Sequence, residues 1–572
     1  MALRGVGLGE AASGNRRFRS VRLALSTESV VAIVLSVVLT VLVILPLIAV
    51  AMGAVKDAGG LSLQPFLTVL SATRIITNTV LVGTGTTILA VTLGGALALI
   101  LARIDTPGRS ALEQLVIMPL YITPLLTAIA WSWLGSPRGG LVNLFARQVF
   151  GIDSLVNLQT AGGVIFVAAL AYVPLPFLLI GAALRVMDPS LEESARIHGA
   201  SQLDSLRLVT LPLVLPSALG SALLVFVQAM GLFSVPAVLG MPSGFYVVGT
   251  EIYRLLNNFP PRVSQAAAWG LLLLAVTAAL VWLQGVILNR RSFVTITGKA
   301  FRPRILDVGA FRYLLAALAW IYVALAVLLP VATLIWAALV NFITIDVKLM
   351  AFDLRHFRYV LFQYPKTFLA MQNSLILGAA TASAVCVLGL GVSWVVVRSR
   401  SPVRSYLDQV GMFPLATPSM VLALGLLWVY VAIKWLPIYG TIGILLLAYV
   451  THYLPFGIRA GTGALRQLHA ELEDAARMTG ATWSKMVRWI TLPLTRPTLI
   501  ATWTLIFILS MQEVSSSILL YTSRTVVLAV AVFDLWEAGN VNALAALSVL
   551  QLAVTFLALL VMIRARHRQV LV

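Results

Sequence analysis

The sequence predicts an all-α polytopic membrane protein, with about twelve transmembrane helices in two tandem, parallel six-helix repeats. Three observations carry this. Of 572 residues, 60% are hydrophobic and 11% charged, with mean hydropathy +0.97; a soluble domain carries about 25% charged residues. Apolar runs recur that meet the length a bilayer demands, about 20 residues. One polar stretch is also written twice, as "LEESARIHGASQLDSLRLVTLPLVLP" from Leu191 and "LEDAARMTGATWSKMVRWITLPLTRP" from Leu472.

Taken in order, Met1 to about Ser29 reads as a basic cytoplasmic tail ending near "RRFRSVR". The run from Val30, "VVAIVLSVVLTVLVILPLIAV", exceeds the apolar core of a secretory signal, about 7–15 residues, and is expected to stay as the first span. Further spans centre near Leu89, Ala128, Leu170, Leu224, Ala275, Leu325, Val387, Gly425, Leu446, Ile506 and Leu552. With the N-terminus inside, "RIDTPGR" from Arg103, "RSRSPVR" from Arg398 and "RARHR" from Arg564 are inside, as are both polar inserts. The C-terminus is then inside too. The longer outside loop after Val340 carries Lys348, Arg355, Arg358 and Lys366, and long loops obey the rule less strictly. In such a chain a net charge of +19 reflects Lys and Arg held in cytoplasmic loops, and no nucleic-acid partner is expected.

The repeat extends well beyond the inserts. Glu192, Ala195, Arg196, Gly199, Arg207, Thr210, Leu211 and Pro212 recur without a gap as Glu473, Ala476, Arg477, Gly480, Arg488, Thr491, Leu492 and Pro493. Upstream, Tyr172 and Pro174 match Tyr453 and Pro455, and Asn78, Arg103, Pro107, Arg109 and Pro119 match Asn373, Arg398, Pro402, Arg404 and Pro414. An even number of spans returns each half to its starting side, so the halves lie the same way up. The expected domains are a tail over residues 1–29, a first membrane domain over 30–290, a basic cytoplasmic linker over 291–311 and a second domain over 312–572. The seam between such halves is where transporters place their path.

Each insert reads as a short helix. Asp188 suits an N-cap, Pro189 the first turn, Glu192 and Glu193 the positive end of the helix dipole, and Gly199 a left-handed terminating residue. The second copy lacks Asp-Pro but keeps Glu473, Asp474 and Gly480. A helix lying on the membrane surface would need a clean apolar face with basic flanks. This pattern is short, acidic at its start and carries small residues, which fits a docking knob better.

Here the chain resembles the permeases of binding-protein-dependent ABC importers. Their cytoplasmic motif is Glu-Ala-Ala, then Gly, then Ile-x-Leu-Pro. The matching residues are Glu193, Ser194, Ala195, Gly199, Val209, Leu211 and Pro212 in one copy, and Asp474, Ala475, Ala476, Gly480, Ile490, Leu492 and Pro493 in the other. The resemblance implies the type I importer permease fold and a docking role for these motif residues. It implies two copies of an ATPase subunit, with ATP-Mg bound there, and no cofactor in this chain. It also implies a solute-binding protein, and a multi-pass place in a bacterial inner membrane. The fused arrangement is similar to iron(III) importers, which puts iron(III) first and another small solute (thiamine, aminophosphonate, polyamine) as the alternative.

No G-x-x-x-x-G-K-[ST] loop occurs, so ATP hydrolysis is expected on a separate subunit and none in this chain. No paired-cysteine or H-E-x-x-H metal site occurs, and the single Cys386 sits in an apolar run. An ion-coupled secondary transporter would place several ionisable groups at mid-membrane, and this chain has few. One is Glu513, with Gln512 beside it, about 30 Å along a helix from Pro493. A carboxylate there faces protein or a watery cavity, so Glu513 and Gln512 are candidates for the substrate path or for a bond between helices.

Overall fold

The computed structural model describes residues 27–57, 60–289, 308–341, 351–433 and 435–570. Most of the expected tail, most of the expected linker and Lys348 lie outside the described residues. Among the described residues nine helices are long and apolar enough to cross a membrane, and three bent pairs bring the total to twelve if each counts as one span. The first helix, Glu28–Val55, starts slightly before the end of the expected tail. Beside the helices, Lys56–Asp57 and Gly60–Leu61 form one two-residue antiparallel pair.

Two of the spans are sharply bent. Arg109–Tyr121 and Pro124–Gly135 meet at 97°, and Arg404–Ala416 and Ser419–Ala432 meet at 111°. The cause is local. Proline disfavours the helical region for the residue before it, and Thr123 before Pro124 and Thr417 before Pro418 are both extended, at ψ 131° and 113°. The third pair, Ala161–Tyr172 with Pro174–Val186, bends by 44°.

Proline shapes other spans more gently. π turns at Thr40–Ile44, Leu206–Thr210, Ala324–Leu328 and Val487–Thr491 each end two residues before a proline: Pro46, Pro212, Pro330 and Pro493. Proline lacks the amide for an i→i−4 bond and crowds that carbonyl. Widening one turn to i→i+5 lets the helix continue. The sequence places the start of the fifth span of each half near Leu211-Pro212 or Leu492-Pro493. Instead the helices run unbroken over Gln202–Met230 and Trp483–Met511.

The halves interlock. Helix Glu28–Val55 packs on the bent pair of the second half, and Phe311–Leu339 packs on the bent pair of the first. Tyr322 in the second half donates its hydroxyl to the Leu170 carbonyl in the first at 3.1 Å. Within the second half, Lys366–Arg398 and Ile442–Gln467 approach backbone to backbone where Gly389 faces Gly457. A Cβ on Gly389 would lie 2.6 Å from the Gly457 carbonyl carbon. In lipid, where apolar burial does not drive helices together, such close packing of small residues does.

Gly389→Val should therefore destabilise the purified protein by about 1–3 kcal/mol, the usual cost of overpacking. Gly463→Ala should be neutral, because nothing lies within 4 Å of a Cβ there. Thermal unfolding in detergent compares the two.

Candidate functional site

A cavity of about 330 Å³ opens on the seam, walled by matching segments of the two halves. The unwound breaks at Ile122 and Thr417, the tyrosines Tyr172 and Tyr453, and the positions Leu232 and Glu513 all line it. At each break one backbone carbonyl accepts a side-chain donor from across the seam. Gln512 Nε2 donates to the Leu120 carbonyl at 3.1 Å, and Gln551 Nε2 reaches Thr123 Oγ1 at 3.3 Å. In return Thr277 of the first half donates its hydroxyl to the Ala416 carbonyl. Non-helical backbone at membrane depth is tolerated where protein or a watery cavity meets it.

The walls differ chemically. Glu513 and His452 come from the second half, where the first half has Leu232 and Ala171. No lysine or arginine is among the lining residues. Glu513 follows the end of helix Leu492–Met511 and is held from two sides. Its carboxylate accepts from Tyr453 Oη at 3.1 Å, and from the Ser516 amide and hydroxyl at 3.0 and 3.1 Å. Tyr449 donates to its carbonyl at 3.2 Å. Glu513 therefore lines the cavity and also bonds to a neighbouring helix through Tyr453. The His452 ring lies 4.9 Å from that of Tyr453, and its buried Nδ1 has no hydrogen-bond partner among the described residues. A fixed carboxylate, neutral phenols and no fixed positive charge form a wall that attracts cations and repels anions. The sequence reading matched Tyr172 to Tyr453 without giving either a role, and it missed His452; an ionisable residue within a span was the available signal.

At the end away from the inserts, helices Val248–Asn257 and Leu528–Glu537 pair across the seam. Phe233 and Phe533 stand 5.6 Å apart, and Tyr253 donates to Glu537 at 2.8 Å. Tyr521 donates to Asp534 at 3.1 Å, and Lys366 pairs with Asp534 at 2.7 Å. Burial, then the nearby Asp534, pushes the Tyr521 phenol up to about 12. Burial, then the bond to Glu537, pushes Tyr253 up as well.

At the other end the inserts form helices Pro189–Ile197 and Glu471–Met478. Asp188 caps the first through the Ser190 amide, while the second has no side-chain cap. Gly199 and Gly480 follow at φ +89° and +82°, the left-handed region that disfavours side chains. Glu193, Ser194, Asp474 and Ala475 are exposed, and Ala195 and Ala476 half-buried. Glu192 and Glu473, in the acidic first turn of each insert helix, are both buried, at 8% and 4% exposure. The apolar Ile197 and Met478, at corresponding positions, are 83% and 89% exposed. Sequence reasoning overlooked them because an apolar residue in an insert helix reads as membrane- or core-facing.

Comparison with known proteins decides the kinship. The model of the family "Binding-protein-dependent transport system inner membrane component" matches twice, over residues 90–293 and 368–569. The chain belongs to this family. It is a multi-pass inner-membrane permease carrying the family domain in tandem, with an all-α fold in two repeats. Similar curated relatives include a putative ferric transport system permease protein, FbpB 1, of Haemophilus influenzae. That relative is 26% identical over 84% of this chain and 76% of its own length. A ferric transport system permease protein, FbpB, of Actinobacillus pleuropneumoniae is 24% identical over 91% of this chain and 76% of its own length. Among solved structures, a bacterial ABC transporter importing alginate aligns at TM-score 0.37 and 21% identity, covering 42% of this chain and 88% of that one.

The paired tyrosines of this permease yield a pH prediction. A phenol whose folded pKa is raised contributes stability that is present below its unfolded value, about 10, and is lost as pH rises through the folded value. The thermal midpoint should stay level from about pH 7 to 9 and fall above about pH 10. In Tyr253→Phe/Tyr521→Phe that alkaline fall should be shallower.

Proposed function

We propose that this permease moves iron(III), delivered by a solute-binding protein, through the seam cavity into the cytoplasm, driven by two copies of an ATPase subunit. The observation that carries the cargo reading is the cavity wall. It presents Glu513, His452 and two tyrosines and no lysine or arginine. Carboxylates and phenols are hard oxygen groups of the kind a small, highly charged cation takes. The relatives named as ferric permeases support the same cargo. Glu513 and Gln512 belong to the path in this reading. The carboxylate meets the cation, and Gln512 keeps the break at Leu120 in place.

The insert helices are the docking points for the ATPase. They bear exposed Glu193 or Asp474, small Ser194, Ala195, Ala475 and Ala476, an apolar tip at Ile197 or Met478, and a glycine turn. An exposed carboxylate suits a basic residue on the partner, and the apolar tip suits a groove. The inserts, and with them both chain ends, then lie in the cytoplasm, as the lysine and arginine bias favours. The chain has no phosphate loop, so the ATP-Mg site belongs to the partner.

Two outcomes are expected. In cells lacking the permease, the wild type should restore radioactive iron(III) uptake. Glu513→Gln should cut that uptake by about tenfold or more, since it removes the wall's fixed charge. Unchanged iron uptake alongside lost uptake of thiamine or a polyamine would replace the cargo. Separately, Gly199→Asp/Gly480→Asp should leave the permease in the membrane but release the ATPase, read by co-purification. Either single change should hydrolyse ATP without transport.

A further inference from the structure

The carboxylates one residue before the exposed acids serve a different purpose. Glu192 is held by Arg103 at 3.2 Å and receives the Thr210 hydroxyl at 2.6 Å. Its counterpart Glu473 is held by Arg398 at 3.4 Å and receives the Thr491 hydroxyl at 3.1 Å. The ion pairs are nearly sealed from solvent, with side-chain exposures of 3% and 10% in one and 13% and 6% in the other. The same three side chains recur in both halves although their surroundings differ: Ser205 stands where the second half has Met486, and Ile197 where it has Met478.

Each arginine is the last residue of a long helix, Thr73–Arg103 or Lys366–Arg398. Each threonine closes a π turn that runs straight into the fifth span of its half. The same long helices are bonded at their far ends to the helices that pair across the seam. Thr79 accepts from the Val248 amide at 3.0 Å, and Ser374 accepts from the Leu528 amide at 2.8 Å. Asn78 and Asn373 add bonds to the carbonyls of Tyr246 and Val526. One rigid helix in each half therefore touches an insert at one end and the far-side pair at the other. A helix of 31 residues spans about 46 Å, enough to join the two ends of the cavity.

We propose that Arg103–Glu192–Thr210 and Arg398–Glu473–Thr491 are linkages that turn movement of the insert helices into opening of the far-side pair. This rests on the reading that the inserts receive the ATPase. Each insert helix is bonded on its inner face to the end of one membrane helix and the start of another, and carries both when it moves. Buried ion pairs add little net stability compared with apolar packing of the same volume, but they fix direction and register. The π turn that carries each threonine is a mechanical weak point where a helix can change its bonding. The second linkage grips more. Arg398 also donates to the carbonyls of Leu465 and Leu468 at 3.0 and 2.7 Å, at the end of the span that precedes its insert. These six side chains are positioning residues and touch no cargo.

The test uses the full permease purified with its cognate ATPase, in lipid, with Cys386→Ser and spin labels at Ser243 and Arg524, which are exposed in the far-side loops. No cargo is needed: the probe is ATP with vanadate. In the parent protein ATP should shift the distance between the labels. In Glu192→Gln/Glu473→Gln the ATPase should stay bound and hydrolyse ATP, while the shifted population falls by about tenfold, within the usual range of coupling between sites. Thr210→Val/Thr491→Val keeps the charges and side-chain shape and should cut it by about fivefold; it decides the matter if the permease chain of the first variant does not fold into the membrane. A full shift in the variants with the ATPase bound would remove the linkage alone. Loss of the ATPase from Glu192→Gln/Glu473→Gln would also overturn it, by placing those acids on the docking surface. Retention of the ATPase by Gly199→Asp/Gly480→Asp would remove the docking reading, and the linkage with it.

Discussion

A backbone inside a bilayer has no water to bond with, and the rest of this structure depends on that constraint. It makes the chain helical nearly throughout, and it decides where the chain can stop being helical. Proline breaks the helices at Thr123 and Thr417, and both breaks lie on the seam. There Gln512 of one half and Thr277 of the other each give a backbone carbonyl a partner. The breaks open the cavity, and the bonds that mend them hold the two halves together.

Duplication supplies a scaffold in which every position is met twice, and the cavity shows where the copies have been allowed to differ. The tyrosines stay paired. The carboxylate and imidazole sit on one wall only, opposite leucine and alanine. Glu513 is oriented by Tyr453 and Ser516, which leaves little freedom for it to fold away from the cavity.

The inserts and the far-side pair lie at opposite ends of the same two helices. Thr79 and Arg103 mark the ends of one contact line, Ser374 and Arg398 the ends of the other. Contacts such as Tyr253 with Glu537 cross the seam on the far side. One continuous helix in each half thus joins an insert to the contacts that cross the seam.

Much of this was legible in the residues. Apolar run length foretold the number of spans, because bilayer thickness is a fixed ruler. In-register repetition foretold two like halves, and glycine after a short acidic stretch foretold the insert helices, since few other residues take that turn. What the residues could not show was direction. Glu192 and Glu193 are adjacent acids with the same intrinsic chemistry; a helix turns about 100° between them, and only the placement of Arg103 and Thr210 decides which one is buried. Straight and bent spans share one composition, so Pro124 and Pro418 showed their effect only once the neighbouring half was in place to bond the opened backbone. His452 became part of a cavity for the same reason. Local sequence determines which groups the chain can offer, while burial and partnership depend on residues hundreds of positions away that only the folded molecule brings together.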